Sequence, residues 1–175
     1  MKRQNPSSTS AFLLPAGISG FFETGTKAPP LLNFEDFARA CEKAGNLSNF
    51  SLRQVYNFNE QPARSYHAAV FFRDTTLLAL CNKYFPVVAF ARIANGAEAQ
   101  LLDHMPENEY VNVPELSHIF EEGFTVLDKT GLTITVDADV PEDALAVSLL
   151  SDNEFAEFAY WEPKIVADII FNNWG

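Results

Sequence analysis

YHAAVFFR (66–73), TLLALCN (76–82) and PVVAFAR (86–92) are three apolar runs in close succession. Only Asp74-Thr75 and the stretch around Asn82-Lys83-Tyr84 separate them. Connections this short suit antiparallel neighbours, because a parallel crossover needs a dozen residues or more. The runs are apolar at successive positions rather than alternating. Such strands are expected at the centre of a sheet, with both faces covered by helices.

Outward from this meander, FSLRQVYNF (50–58) is rich in strand formers without clean alternation. Before it, Asn33 is a good helix N-cap, Glu35 and Asp36 fall in the first turn, and Gly45 is expected just past the last. Phe34, Phe37, Ala38 and Cys41 lie at i, i+3, i+4 and i+7, one apolar stripe. Residues 1–30, rich in turn formers and ending in Pro29-Pro30, read as arm and loop, with Phe21 and Phe22 anchoring them to the core.

On the other side, Asn95-Gly96 marks a turn. AQLLDH (99–104) reads as a short strand followed by a polar loop. PELSHIFEEG (114–123) reads as a helix, with Pro114 at its first position and Leu116, Ile119 and Phe120 as its buried stripe. FTVLD and GLTITVD are expected to form a hairpin around Lys129-Thr130-Gly131. Ser151 and Glu154 fit a capping box opening a short helix with Phe155, Phe158 and Ala159 on one side. Pro163 is expected to start a final helix with Ile165, Val166, Ile169 and Ile170 facing inward. The expectation is one α+β domain over 31–175, a mainly antiparallel sheet covered by three to four helices.

Composition sets the class. Apolar residues make up 47% of the 175, with 16 Phe, far from a disordered composition. Cys41 and Cys81 lie in no metal-like spacing and are expected as buried free thiols of a reducing compartment. The apolar stretch Ala11–Leu14 is too short for a signal peptide. No run approaches the roughly 18 apolar residues of a membrane span. These features predict a cytoplasmic protein without a membrane partner.

No chemical motif survives inspection. Asp137 and Asp139 begin like a calcium loop, but Pro141 and Glu142 stand where an oxygen ligand and the turn glycine belong. His67, His104 and His118 are too far apart for a zinc pattern, and His67 reads as a hydrogen-bonded core residue. Gly17-Ile18-Ser19-Gly20 has Phe21 in place of the last glycine of a nucleophile elbow. Cys81 lies inside an apolar run, where a thiol is inert. Phosphate-binding loops are absent. The sequence therefore predicts no enzyme, no cofactor and no metal.

The net charge of −11 is unevenly spread. Residues 1–97 carry ten Lys/Arg against six Asp/Glu, and residues 98–175 carry two against seventeen. Such a half repels phosphate backbones, so direct nucleic-acid binding is not expected. It suits a basic protein partner. Glu121 and Glu122 stand at the carboxyl end of their helix, where the macrodipole disfavours anions, as happens when function overrides local stability. Asp103, Glu107, Glu109, Glu121, Glu122, Asp137, Asp139, Glu142 and Asp143 are the candidate partner-binding acids, with Tyr110 as an exposed aromatic anchor.

The chain ends carry a resemblance. LPAGISGFFE (14–23) and YWEPKIVADIIFNNWG (160–175) resemble the immunity proteins encoded beside bacterial polymorphic toxins. The closing pattern is P-x-x-[VI]-x-[DE]-[IV]-[IV]-F-N-x-W, fitted by Pro163, Val166, Asp168, Ile169, Ile170, Phe171, Asn172 and Trp174. Ala167 departs from an expected Gly and Gly175 from an expected Asp. The resemblance covers only the two ends. It implies a terminal helix, no catalytic residues, and a cognate toxin as partner. A DNA mimic or anti-restriction inhibitor, and an enzyme with an unrecognised site, are the alternatives. Oligomeric state leaves no signal in the sequence.

Overall fold

β2 (Tyr66–Arg73), β3 (Thr75–Asn82) and β4 (Val87–Ile93) form the antiparallel meander that their spacing predicts. The computed structural model describes residues 13–21, 30–136 and 149–174. Arg73 pairs with Thr75, so Asp74 alone turns the chain, at φ 61°. Asp tolerates this left-handed conformation better than most residues because its short side chain can bond the local backbone. β1 (Ser51–Tyr56) joins β2 antiparallel, with an irregularity between Leu52 and Gln54. The far edge of β4 is shared. β5 (Asn108–Val111) pairs antiparallel with Phe90–Ile93, and β6 (Thr125–Val126) runs parallel beside Val87 and Val88. Among the described residues the sheet has six strands, in the order β1-β2-β3-β4-β5, with β6 also on β4.

The two-residue period of the strands divides their side chains between two cores. Ala69, Phe71, Leu77, Ala79, Cys81, Val88 and Phe90 enter one. Ala68, Val70, Leu78, Leu80, Ala89 and Ala91 enter the other. Both faces are dry, which is why the runs read as continuously apolar. α1 (Phe34–Leu47) and α2 (Pro114–Phe120) cover the first face with Phe37, Cys41, Ala44, Leu116 and Phe120. Ala69 and Ala79, opposite one another on β2 and β3, share that core with the ring cluster of Phe37, Phe90 and Phe120. The short α3 (Lys129–Leu132), then α4 (Asp152–Trp161) and α5 (Val166–Ile170), cover the second face. The fold is α+β, a mostly antiparallel sheet between helices.

Several local expectations are corrected. α1 does not stop before Gly45 but runs through it to Leu47. A Cβ on Gly45 would lie 3.0 Å from the Cβ of Leu52 on β1, so the glycine serves close helix–strand approach rather than termination. AQLLDH is not a strand. Residues Ala97–Leu102 form a 3₁₀ helix entered from Gly96 at φ 88°, with Leu101 buried and Leu102 exposed. β5 instead lies in the stretch read as polar loop. The hairpin at 129–131 does not form. Asp128 caps a helical turn there, its Oδ1 accepting from Thr130 N at 2.7 Å. Thr135 then bridges to Ile165. Leu132 and Val136 are buried, but Ile134, expected on the same apolar face, is exposed between Thr133 and Thr135, so neither the alternation nor the pairing holds. α5 begins at Val166 rather than Pro163, where Asp168 Oδ2 accepts from Lys164 N (2.9 Å) and Ile165 N (3.1 Å).

Candidate protein-binding surface and a buried cationic cluster

The second-half acids do not all stand free. Glu109 on β5 lies 3.7 Å from Arg92 and 3.5 Å from Lys129. Glu115 at the start of α2 pairs with Arg73 at 2.9 Å. Glu122, just past α2, pairs with Lys43 of α1. That ammonium holds the Glu122 carboxyl below the usual carboxylate range. Asp103, Glu107 and Glu121 are exposed and make no ion pair with any described residue. Asp103 and Glu107 flank the approach to β5, whereas Glu121 caps the distant end of α2. Asp137, Asp139, Glu142 and Asp143 lie outside the described residues.

Tyr110 is not an exposed anchor. The pleat of β5 turns it into the second core, where it is 7% exposed and stacks on Phe171 with ring centroids 6.5 Å apart. Burial pushes its hydroxyl well above the usual range. Its polar neighbours Glu107 and Glu109 concealed a strand whose period is two.

Residues of the two chain ends are tied into the interior of the fold. Gly17 and Gly20, both at φ 90°, shape a tight turn that places Leu14, Ile18 and Ser19 in the interior. Glu154, fully buried at the start of α4, receives Gly17 N (2.6 Å), Ser19 N (3.2 Å) and Ser19 Oγ (2.5 Å). It also closes the predicted capping box with Ser151. Asn172 donates to Ser19 O (2.9 Å) and Ile169 O (2.8 Å). Trp174 stacks on Trp161 and packs against Phe21 and Phe158.

A second cluster was missed at the sequence level. Arg64 is 1% exposed and Lys83 2%. Lys83 Nζ donates to Phe58 O (2.5 Å) and Gln61 O (2.8 Å), clamping the β1–β2 loop. Burial, then the Arg64 charge, lowers its pKa to about 8. Arg64 lies over the Phe58 ring at 4.1 Å, and its Nη1 donates to Tyr66 Oη at 3.2 Å. Its Nε and Nη2 have no hydrogen-bond partner among the described residues. No carboxylate among the described residues pairs with either cation. Beside them, His67 Nδ1 accepts from Phe58 N at 3.0 Å, so it is a hydrogen-bonded core residue as expected. Burial, then Lys83, lowers its pKa to about 4. QPARS (61–65) offers one sequence signal, an arginine directly before an apolar strand, and that is too common to find a site.

Cys41 and Cys81 are both buried, and burial pushes both thiols up, as inert sulfurs require. No group of three His, Cys, Asp or Glu among the described residues could hold a metal ion. No helix among them is long and apolar enough to cross a membrane. Comparison with family models, with curated proteins and with solved structures produced no match.

Proposed function

We propose that this chain is a non-enzymatic immunity protein that neutralises a cognate, basic toxin by binding it through an acidic surface. One observation carries the reading. Of the cations that could offset the second half, Arg64 and Lys83 are inside, and Arg73, Arg92 and Lys43 are already bound to carboxylates. Arg39 is paired with Asp36. Asp103, Glu107 and Glu121 are thus left without an ion pair among the described residues, and the net charge of −11 makes the field around the molecule negative. The resemblance of the chain ends to immunity proteins supplies the class of partner. Its residues brace the fold, so the binding surface lies elsewhere, with Asp103 and Glu107 at its centre.

The test is co-purification with the product of the neighbouring gene at low salt, followed by a growth assay of that product with and without this chain. A stable complex and restored growth are expected. Asp103→Lys combined with Glu107→Lys is expected to weaken the complex. No binding at low salt, or unchanged binding by the double variant, would overturn the reading.

A further inference from the structure

Arg64 presents a choice that the acidic-surface reading does not touch. A guanidinium has two edges that can grip an oxyanion with parallel N–H bonds, and Nε with Nη2 form one of them. In Arg64 these are the two unpartnered atoms, while Nη1 is taken by Tyr66. The orphaned donors are thus not a random pair. Buried donors are almost always satisfied, and a buried cation without an anion is unfavourable. The Phe58 ring beneath the guanidinium offsets part of that loss, but a ring face does not satisfy in-plane N–H groups.

Arg64 also lines a pocket of about 310 Å³, walled by Ser19, Gly20, Phe21, Pro62, Ala63 and Trp174. That volume is at the lower end of small-molecule sites. Phe21 and Trp174 supply an apolar wall, and Ser19 a polar one. We propose that the Nε–Nη2 edge of Arg64 anchors a small ligand bearing a carboxylate or phosphate group, with the body of the ligand in this pocket. Lys83 adds positive potential, and its ammonium is held by loop carbonyls rather than by an acid. Both orphaned atoms are buried. Entry therefore requires the pocket wall to give way, and slow exchange is expected.

Full-length protein with ¹⁵N-labelled arginine is titrated with sodium acetate, benzoate and phosphate, each against sodium chloride at matched ionic strength. The Nε–Hε resonance that disappears in Arg64→Lys should shift and saturate, while those of the exposed Arg53 and Arg73 stay in place. Saturation by acetate and benzoate assigns a carboxylate ligand, and saturation by phosphate alone a phosphate. Arg64→Lys keeps the charge but loses the fork, and should bind about tenfold more weakly by Trp fluorescence. An Arg64 resonance unmoved by all three salts, or one that follows chloride equally, overturns the proposal. So does undiminished binding by a folded Arg64→Lys. If that variant does not fold, assignment by sequential experiments lets the wild-type titration decide.

Discussion

Glu154 gathers its donors from two distant places, the turn at Gly17–Ser19 and its own helix start at Ser151. A buried carboxylate is tolerable only when its oxygens are so bonded. Glu154→Gln replaces one acceptor oxygen by an NH₂ group that faces other donors. It should lower stability by about 3 kcal/mol in urea unfolding, against about 1 kcal/mol for Ser151→Ala, which removes only a cap. Equal costs would mean that the carboxylate is merely a helix cap. Gly45 makes a contrasting case. In an open helix, alanine there would add about 1 kcal/mol of stability. Here its Cβ would press on Leu52, so Gly45→Ala should lose about 1 kcal/mol instead, read as a lower thermal midpoint. A stabilised variant would show that β1 yields easily. Both residues were visible in the sequence and partly misjudged. S-x-x-E named the cap correctly, but nothing local points to a partner 137 positions away. Gly near a helix end reads as a stop unless the neighbouring strand is known.

At the scale of elements, the loop between β1 and β2 is held from both sides of one residue. Phe58 donates its N–H to His67, and its carbonyl receives Lys83. Both groups titrate low, so the unfolded chain binds more protons than the folded one across two windows. For His67 the window runs from the ordinary 6.5 down to about 4, and stability should fall as pH drops through it, by about 3 kcal/mol in all. Protonation also turns Nδ1 into a donor facing the Phe58 N–H. For Lys83 the window runs from about 8 to 10.5, and stability should rise with pH there, until other groups intervene. His67→Asn keeps an acceptor near the position of Nδ1 without titrating. Its unfolding free energy should be flat where the wild type slopes, and a persisting slope would assign the acid sensitivity elsewhere. The legibility of the elements follows the same logic of local against distant causes. The meander was readable because three apolar runs with short connections allow little else. β5 and β6 were not, since a four-residue strand and a two-residue strand exist only through pairing with β4. The expected hairpin failed because Asp128 is a helix cap as readily as a turn residue.

For the whole molecule, the sequence shows a charge division between halves, and folding partly undoes it. Glu109, Glu115 and Glu122 come to rest against cations from the first half. Whether sequence neighbours share a face depends on topology: Glu121 caps the end of α2, next to the Glu122 that pairs with Lys43 of α1, whereas Asp103 and Glu107 lie between the 3₁₀ helix and β5. The pairing removes exposed positive charge as much as negative, and the burial of Arg64 and Lys83 is set partly against that of Glu154, so the net charge of −11 stands. The resulting long-range field is negative. A basic partner should be drawn in quickly at low ionic strength, because a field of opposite sign raises encounter rates by about tenfold or more. Raising salt from about 50 to 500 mM shortens the Debye length to a few ångströms and should slow association by about tenfold, with dissociation changed much less. Asp103→Lys with Glu107→Lys should reproduce most of that loss at low salt, whereas Glu122→Gln, which removes an acid already paired with Lys43, should do little. Stopped-flow association with the neighbouring gene product separates these cases. Salt-independent association, or a Glu122 effect as large as that of the double reversal, would mean that recognition rests on something other than unpaired surface carboxylates.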